Sequence, residues 1–321
     1  MRALLVVNPK ATATSARARD VLARALGSDL KVDVAETQRR GHAIELGARA
    51  TEEGYDVVVT LGGDGTINEV VNGILRPTDG SPGPHTEQPA LAVVPGGSTN
   101  VFSRAVGMPK DPVEATSYLL DALREERSRW IGLGRLSSPG AGTPGSGERW
   151  FTFTAGMGLD ADAVRMVERA RARGLRPTPS RYTRATLGRF FFGTDRRHPA
   201  ITLERDGEEP VPGLFLGIIG NTSPWTYFGN HPITLTTTAT FDAGLDLVGM
   251  RRLRTVSTLW AASGMLSGHG LRGRAALVER DLREFRLVAD RPMHVEVDGD
   301  YLGEREALHV HSVPAAIRVI C

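Results

Sequence analysis

The 321-residue chain has little cysteine, almost no net charge and no long apolar run. Its one cysteine, Cys321, excludes an internal disulfide, and so few thiols suit a reducing, cytoplasmic compartment. Lys and Arg number 39 against 37 Asp and Glu, a net charge of +2, which gives no overall charge for nucleic acid to recognise. No apolar stretch approaches the roughly 18 residues that a membrane-spanning helix needs. The apolar run Ala3 to Val7 is shorter than the core of a signal peptide and stops at Asn8-Pro9. What is present is an ordinary globular composition, 40% hydrophobic and 24% charged, with a length that suggests two domains.

The first part of the chain alternates short apolar runs with helical patterns. Leu4 to Val7, Asp56 to Leu61 and Ala90 to Val94 read as buried strands, and Lys31 to Ala35 as a shorter one. Helical spacing follows at Val21, Leu22, Ala25 and Leu26, from His42 to Glu53, and at Ile67, Val70, Val71 and Ile74. This alternation predicts an α/β domain over 1–127, a parallel sheet with helices on both faces in a Rossmann-like three-layer arrangement. Beyond it come short strand-like runs such as Trp150 to Thr154, Leu214 to Ile219, Ile233 to Thr240 and Leu282 to Ala289. Turn signals such as Asp298-Gly299 separate some of them, and one helical stretch lies at Val256 to Leu266. Residues 128–321 are therefore expected to form a mostly antiparallel β-sandwich domain.

Three polar turns follow the buried strands. Gly62-Gly63-Asp64-Gly65-Thr66 leads into a helix, where bare backbone and the positive end of the helix dipole suit a phosphate. Asp64 is placed to orient a magnesium ion there, or simply to cap the turn. Thr66 and Glu69 have the spacing of a capping box. Pro95 to Asn100 makes a second glycine turn, and Asn8-Pro9-Lys10 a third. All three lie at strand carboxyl ends, where open α/β sheets bind ligands. No Gly-Lys-Ser/Thr follows, so this is not a Walker loop.

The run Gly62-Gly63-Asp64-Gly65-Thr66-x-Asn68-Glu69-Val70-x-Asn72-Gly73 resembles the signature of the diacylglycerol kinase catalytic domain. Val7-Asn8-Pro9, Thr37 with Gly41-His42-Ala43, Pro95 to Arg104, Ala155 to Ala161, Phe241 to Asp246 and Val297 to Asp300 resemble further family motifs, in order. The resemblance to this diacylglycerol and sphingosine kinase family implies an ATP- and Mg2+-dependent phosphotransferase acting on a lipid hydroxyl. It implies ATP contacts from Asn8, Pro9, Lys10, Ala11, Thr12, Thr37, Gly62, Gly63, Asp64, Gly65, Thr66, Ile67, Asn68 and Ser98. It makes Asp298 the base, with Asp64 and Asp300 as catalytic and metal-holding carboxylates. Asp300 stands where the family has Glu, and Val101 where it has Asp, which bears on metal geometry and substrate choice.

Asp298-Gly299 also fits a type I′ hairpin turn without chemistry. A kinase of soluble substrates, of the NAD kinase or phosphofructokinase kind, also carries Gly-Gly-Asp-Gly, and a non-catalytic nucleotide- or lipid-binding regulator is a third reading. A lipid acceptor would require peripheral docking on an anionic membrane surface. Ten arginines between Arg165 and Arg197, interleaved with Tyr182 and Phe190-Phe191-Phe192, are the expected patch. His309-Val310-His311 puts two imidazoles on one strand face, too few for a metal site. The oligomeric state stays open, a homodimer being one option.

Overall fold

The buried apolar runs become central strands. The computed structural model describes residues 1–75, 88–138, 148–158, 198–253 and 255–321, which divide into two compact units. The first comprises Met1–Gly132 together with Ala315–Cys321, the second Leu133–Pro314.

In the first unit, β1 (Arg2–Val7), β2 (Lys31–Glu36), β3 (Val57–Gly62) and β4 (Ala90–Pro95) form a parallel sheet in the order β2-β1-β3-β4. α1 (Ala16–Leu26) and α5 (Pro112–Arg124) contact each other, as do α2 (His42–Glu52) and α3 (Asp64–Ile74). A short α4 (Val101–Ala105) follows β4. Leu4, Leu5, Val58, Val59, Leu91 and Val93 are wholly buried, each contributing about 1.5–3 kcal/mol by leaving water. Glycine sets how closely α2 and α3 meet. A Cβ on Gly73 would lie 2.2 Å from the Ile44 carbonyl oxygen, and one on Gly47 2.5 Å from that of Val70.

β5 (Ser128–Ser137) carries the chain into the second unit, so the division falls at 132/133 rather than at 127/128. The second unit holds β6 (Glu148–Phe151), β7 (Thr154–Met157), β8 (Ile201–Glu204), β9 (Val211–Leu214), β10 (Leu216–Gly220), β11 (Thr226–Phe228) and β12 (His231–Ile233). It continues with β13 (Leu245–Met250), α6 (Thr255–Leu266), β14 (Ala276–Leu282), β15 (Glu284–Val297) and most of β16 (Asp300–Ile320). The last residues of β16 return to the first unit, where Val319 pairs parallel with Leu91.

The second unit's ladders are antiparallel, in the order β14-β13-β10-β7-β15-β16, with β11–β12 as a separate hairpin. β15 changes partner midway. Arg286 to Ala289 pair with β8, and Val295 to Val297 with β7. One apolar cluster, including Phe151, Ile201, Leu287 and Val295, fills one side of the sheet. Another, including Ile218, Val248, Met250, Ala261 and Met265, lies between the other side and α6. The strand expected over Ile233 to Thr240 stops at Ile233, because Trp225 and Thr234 take their backbone pairs on either side of it.

Candidate active site

β1 lies between β2 and β3, so the chain winds outward in opposite directions from the β1/β3 boundary. Sheets of this kind leave a crevice for ligands at that reversal, beyond the strand carboxyl ends. The turns after β1 and β3 meet there. Asn8 Nδ2 donates to Thr66 Oγ1 at 3.0 Å, while Asn8 Oδ1 accepts the Lys10 N–H at 3.0 Å. Thr37 N–H donates to the Val7 carbonyl at 2.8 Å, placing Thr37 beside the end of β1.

The third turn is tied to the same place. Gly96 N–H donates to the Gly62 carbonyl at 2.7 Å, and Ala13 N–H to that of Gly96 at 2.8 Å. The two glycine turns touch backbone to backbone, so a Cβ on Gly97 would fall 2.7 Å from the Gly63 Cα. Packing therefore accounts for glycine at 97, but not at 65. Gly65 sits in the first turn of α3 with nothing within 4 Å of where a Cβ would be. Its lack of a side chain leaves that helix N-terminus bare. Nearby, the Thr14 hydroxyl oxygen is buried without a hydrogen-bond partner among the described residues.

Asp64 is already engaged. Its carboxylate oxygens accept the N–H groups of Val101 and Phe102, each at 3.0 Å, capping the start of α4 from another element. Asn100 does not cap α4 with its side chain. It closes its own turn, accepting from the Gly97 N–H and donating to the Gly97 carbonyl, both at 2.9 Å. Glu69 does not close the expected capping box. It reaches to α2 and accepts from Gly41 and Ala43 N–H at 2.8 and 3.1 Å.

Asn8, Pro9, Lys10, Ala11, Thr12, Thr37, Gly62 to Thr66 and Ser98 thus all lie at the carboxyl edge of this sheet. The side chains of Ile67 and Asn68 do not face that edge. Both are buried, Asn68 taking a 3.1 Å hydrogen bond from Asn72.

In the second unit, β15 and β16 are joined by Asp298-Gly299, with Val297 paired to Asp300 and positive φ at both turn residues (48° and 82°). That is the two-residue turn which the Asp-Gly sequence favours. Asp298 is 7% exposed, and each of its oxygens accepts two hydrogen bonds. Oδ2 takes Thr152 N–H at 2.7 Å and the Thr152 hydroxyl at 2.8 Å. Oδ1 takes Phe153 and Thr154 N–H at 3.0 Å each. Burial raises the pKa of this carboxyl, and the four donors work against the rise. With four donors engaged, Asp298 pins the 152–154 loop, and the base role expected for it finds no free lone pair.

The sequence reading overlooked Glu296. It has no hydrogen-bond or ion-pair partner among the described residues. Burial, and then the charges of Asp298 and Asp300, push its pKa up to about 7. Val295 and Val297 face the cluster around Leu287, so Glu296 faces the other side of the sheet. It lies in a row with Gly156, Ile218, Val248 and Val278, the side on which α6 packs. The acidic residues at 296, 298 and 300 were the available signal, but alternation with valine reads equally as a solvated strand face.

Among the described residues no cluster of three His, Cys, Asp or Glu forms that could hold a metal. Asp246 is likewise structural, accepting from the Thr238 hydroxyl at 2.6 Å and the Asp281 N–H at 3.2 Å. His311 lies 3.6 Å from Glu284, across the hairpin. The Arg165 to Arg197 segment, and Leu159 to Ala161 of the glycine motif, lie outside the described residues.

A parallel sheet that gathers glycine turns and a bare helix N-terminus at its winding reversal is an α/β arrangement that suits a phosphate ligand. Residues 2–135 match the family described as "Diacylglycerol kinase catalytic domain". It is 33% identical over 119 residues to the diacylglycerol kinase of Staphylococcus carnosus (strain TM300), covering 37% of this chain and 35% of that protein. The same-named protein of Staphylococcus aureus (strain Newman) is 37% identical over 102 residues, 32% of this chain and 29% of the relative. The matches thus span about a third of the length of these curated relatives.

The fold extends further than the sequence match. A crystal structure of a diacylglycerol kinase from Bacillus anthracis str. Sterne superposes with a TM-score of 0.69 at 17% identity, covering 99% of this chain and 96% of that one. Yeast NADH kinase complexed with NADH superposes with a TM-score of 0.55 at 11% identity, covering 100% of this chain and 83% of that one. Both likenesses concern the fold.

Proposed function

We propose that this protein transfers the γ-phosphate of ATP to a hydroxyl group of a lipid of the diacylglycerol class. The observation that carries the reading is the bare start of α3 at Gly65, at the crevice where Asn8 meets Thr66, within the residues that match the kinase family. Backbone N–H groups at that helix end, with Lys10, would take the phosphates. The buried Thr14 hydroxyl has hydrogen-bonding capacity to offer the nucleotide.

Magnesium, if bound, would supply positive charge to offset that of the phosphates. Asp64, whose carboxylate accepts the Val101 and Phe102 N–H groups at the edge of the glycine turns, would be the residue of this unit to hold such an ion. This donor set is thin, as Mg2+ sites completed by substrate phosphates and water are.

The reaction balances simply. A bond forms from the acceptor oxygen to the γ-phosphorus, the bond to the β–γ bridging oxygen breaks, and ADP leaves. The hydroxyl proton passes to a carboxylate, and Glu296, without a partner among the described residues and near neutrality, is the better base than Asp298. Incubation with labelled ATP and a total lipid extract tests the reading. A labelled, phosphorylated lipid is expected. Labelling of NAD instead would establish the soluble-substrate reading, and nucleotide binding without transfer the regulatory one.

A further inference from the structure

The second unit presents exposed apolar side chains beside exposed arginines. α6 carries no charged residue across Thr255–Leu266. Ala261 and Met265 turn inward to the cluster around Ile218 and Val248. On the opposite side Leu259 and Leu266 are 60% and 45% exposed, and Trp260 at the flank is 56% exposed. Such a helix, uncharged and with exposed leucine and tryptophan side chains on its outer side, suits an interface or lipid.

The sequence flanking it carries charge of one sign. Between Leu247 and Val278 the sequence holds five arginines, Arg251, Arg252, Arg254, Arg272 and Arg274, and no aspartate or glutamate. Arg272 and Arg274 are exposed and have no hydrogen-bond or ion-pair partner among the described residues. Between them and α6 lies a cleft of about 430 Å³, lined by Met250, Trp260, Ala261, Leu271, Arg272 and Arg274. The platform is braced. The Leu266 carbonyl takes the His231 ring nitrogen at 2.6 Å, and the Met265 carbonyl takes Thr234 N–H at 3.1 Å. Trp260 rests on Gly273, where a Cβ would sit 3.1 Å from the indole ring.

We propose that the outer face of α6 with the 267–276 loop docks the protein onto an anionic phospholipid bilayer. Leu259, Trp260 and Leu266 enter the interface between headgroups and acyl chains, and Arg272 and Arg274 meet lipid phosphates. Charge complementarity selects this occupant, since Arg272 and Arg274, exposed and without a partner among the described residues, repel a cationic partner and attract anionic headgroups. Docking stands on this surface alone. Its link to catalysis rests on the lipid-kinase reading, in which an acceptor entering beside α6 arrives on the sheet side that Glu296 faces.

The test is co-sedimentation of the full chain with vesicles of phosphatidylglycerol and phosphatidylcholine, against phosphatidylcholine alone. Binding to the anionic vesicles is expected to be tenfold or more tighter and to weaken as salt is raised. The doubles Arg272→Glu/Arg274→Glu and Leu259→Ser/Trp260→Ser should each lose tenfold or more, whereas Val113→Ser, at an exposed position in the first unit, should not change binding. Unchanged binding in both doubles, or equal binding to neutral vesicles, overturns the proposal. So does a wild-type dimer that the doubles convert to monomers, which would make α6 an interface between copies. Turnover on a short-chain, water-soluble acceptor should survive both doubles. Vesicle binding that persists where no lipid is phosphorylated upholds docking and removes the kinase reading.

Discussion

The Asn8 amide donates to the Thr66 hydroxyl at 3.0 Å, joining the end of β1 to the first turn of α3 across the winding reversal of the sheet. One bond thus sets the spacing of two turns that are 58 residues apart in sequence. Thr66→Val keeps the shape and removes the acceptor. It is expected to cost about 1 kcal/mol of stability and to raise the KM for ATP more than it lowers kcat. Thermal unfolding and initial-rate kinetics check this, and an unchanged KM would separate the bond from nucleotide binding.

Asp64 joins the two glycine turns by capping α4. Asp64→Ala removes the acceptor of two N–H groups and is expected to lower stability by about 1–3 kcal/mol, in addition to reducing phosphotransfer at least a hundredfold. Were stability to fall while magnesium-dependent turnover survived, Asp64 would be a cap alone.

Asp298 and Glu296 should separate cleanly. Asp298→Asn turns an amide N–H2 toward existing donors, at a cost of about 2–4 kcal/mol in a buried site. Glu296→Gln should leave the fold intact and cut kcat about 10²–10⁴-fold, the range for a positioned base. A stable Asp298→Asn protein without turnover would restore Asp298 as the base.

The raised pKa of Glu296 has a definite sign. Below its ordinary value of 4.5 the carboxyl is neutral in both folded and unfolded chains, and nothing is lost. Stability declines as pH rises toward about 7, because the unfolded chain ionises first, and the loss is constant above that. Glu296→Gln should therefore match the parent protein at pH 4 and exceed it at pH 8, by at most roughly 3 kcal/mol. The parent's kcat should rise with pH through the same region. Denaturant unfolding at the two pH values measures the first effect.

Gly73→Ala places a methyl group 2.2 Å from the Ile44 carbonyl oxygen, so α2 and α3 must separate. A loss of about 2–4 kcal/mol is expected, whereas Gly54→Ala, with open space around its position, is limited to the strain of its positive φ.

The sequence by itself determined the first sheet's strands, its glycine turns and the helix after Gly65, because these depend on period and on local backbone freedom. Leu4 to Val7 and Val57 to Leu61 are apolar runs that only a buried strand of that length accommodates. Tertiary structure decided what the polar groups there do. Glu69 has the spacing of a local cap, yet the packing of α3 on α2 offers it the N–H groups of Gly41 and Ala43. Asp298 reads as a base or a turn residue until the 152–154 loop folds over it with four donors. Glu296 alternates like a surface residue until sheet pairing sets it, half-buried, beside two carboxylates. The chain end returns to β4 in the first unit for the same reason. A hydrogen-bond partner 26 to 146 residues away is chosen by which element ends become neighbours, and no local pattern encodes that choice.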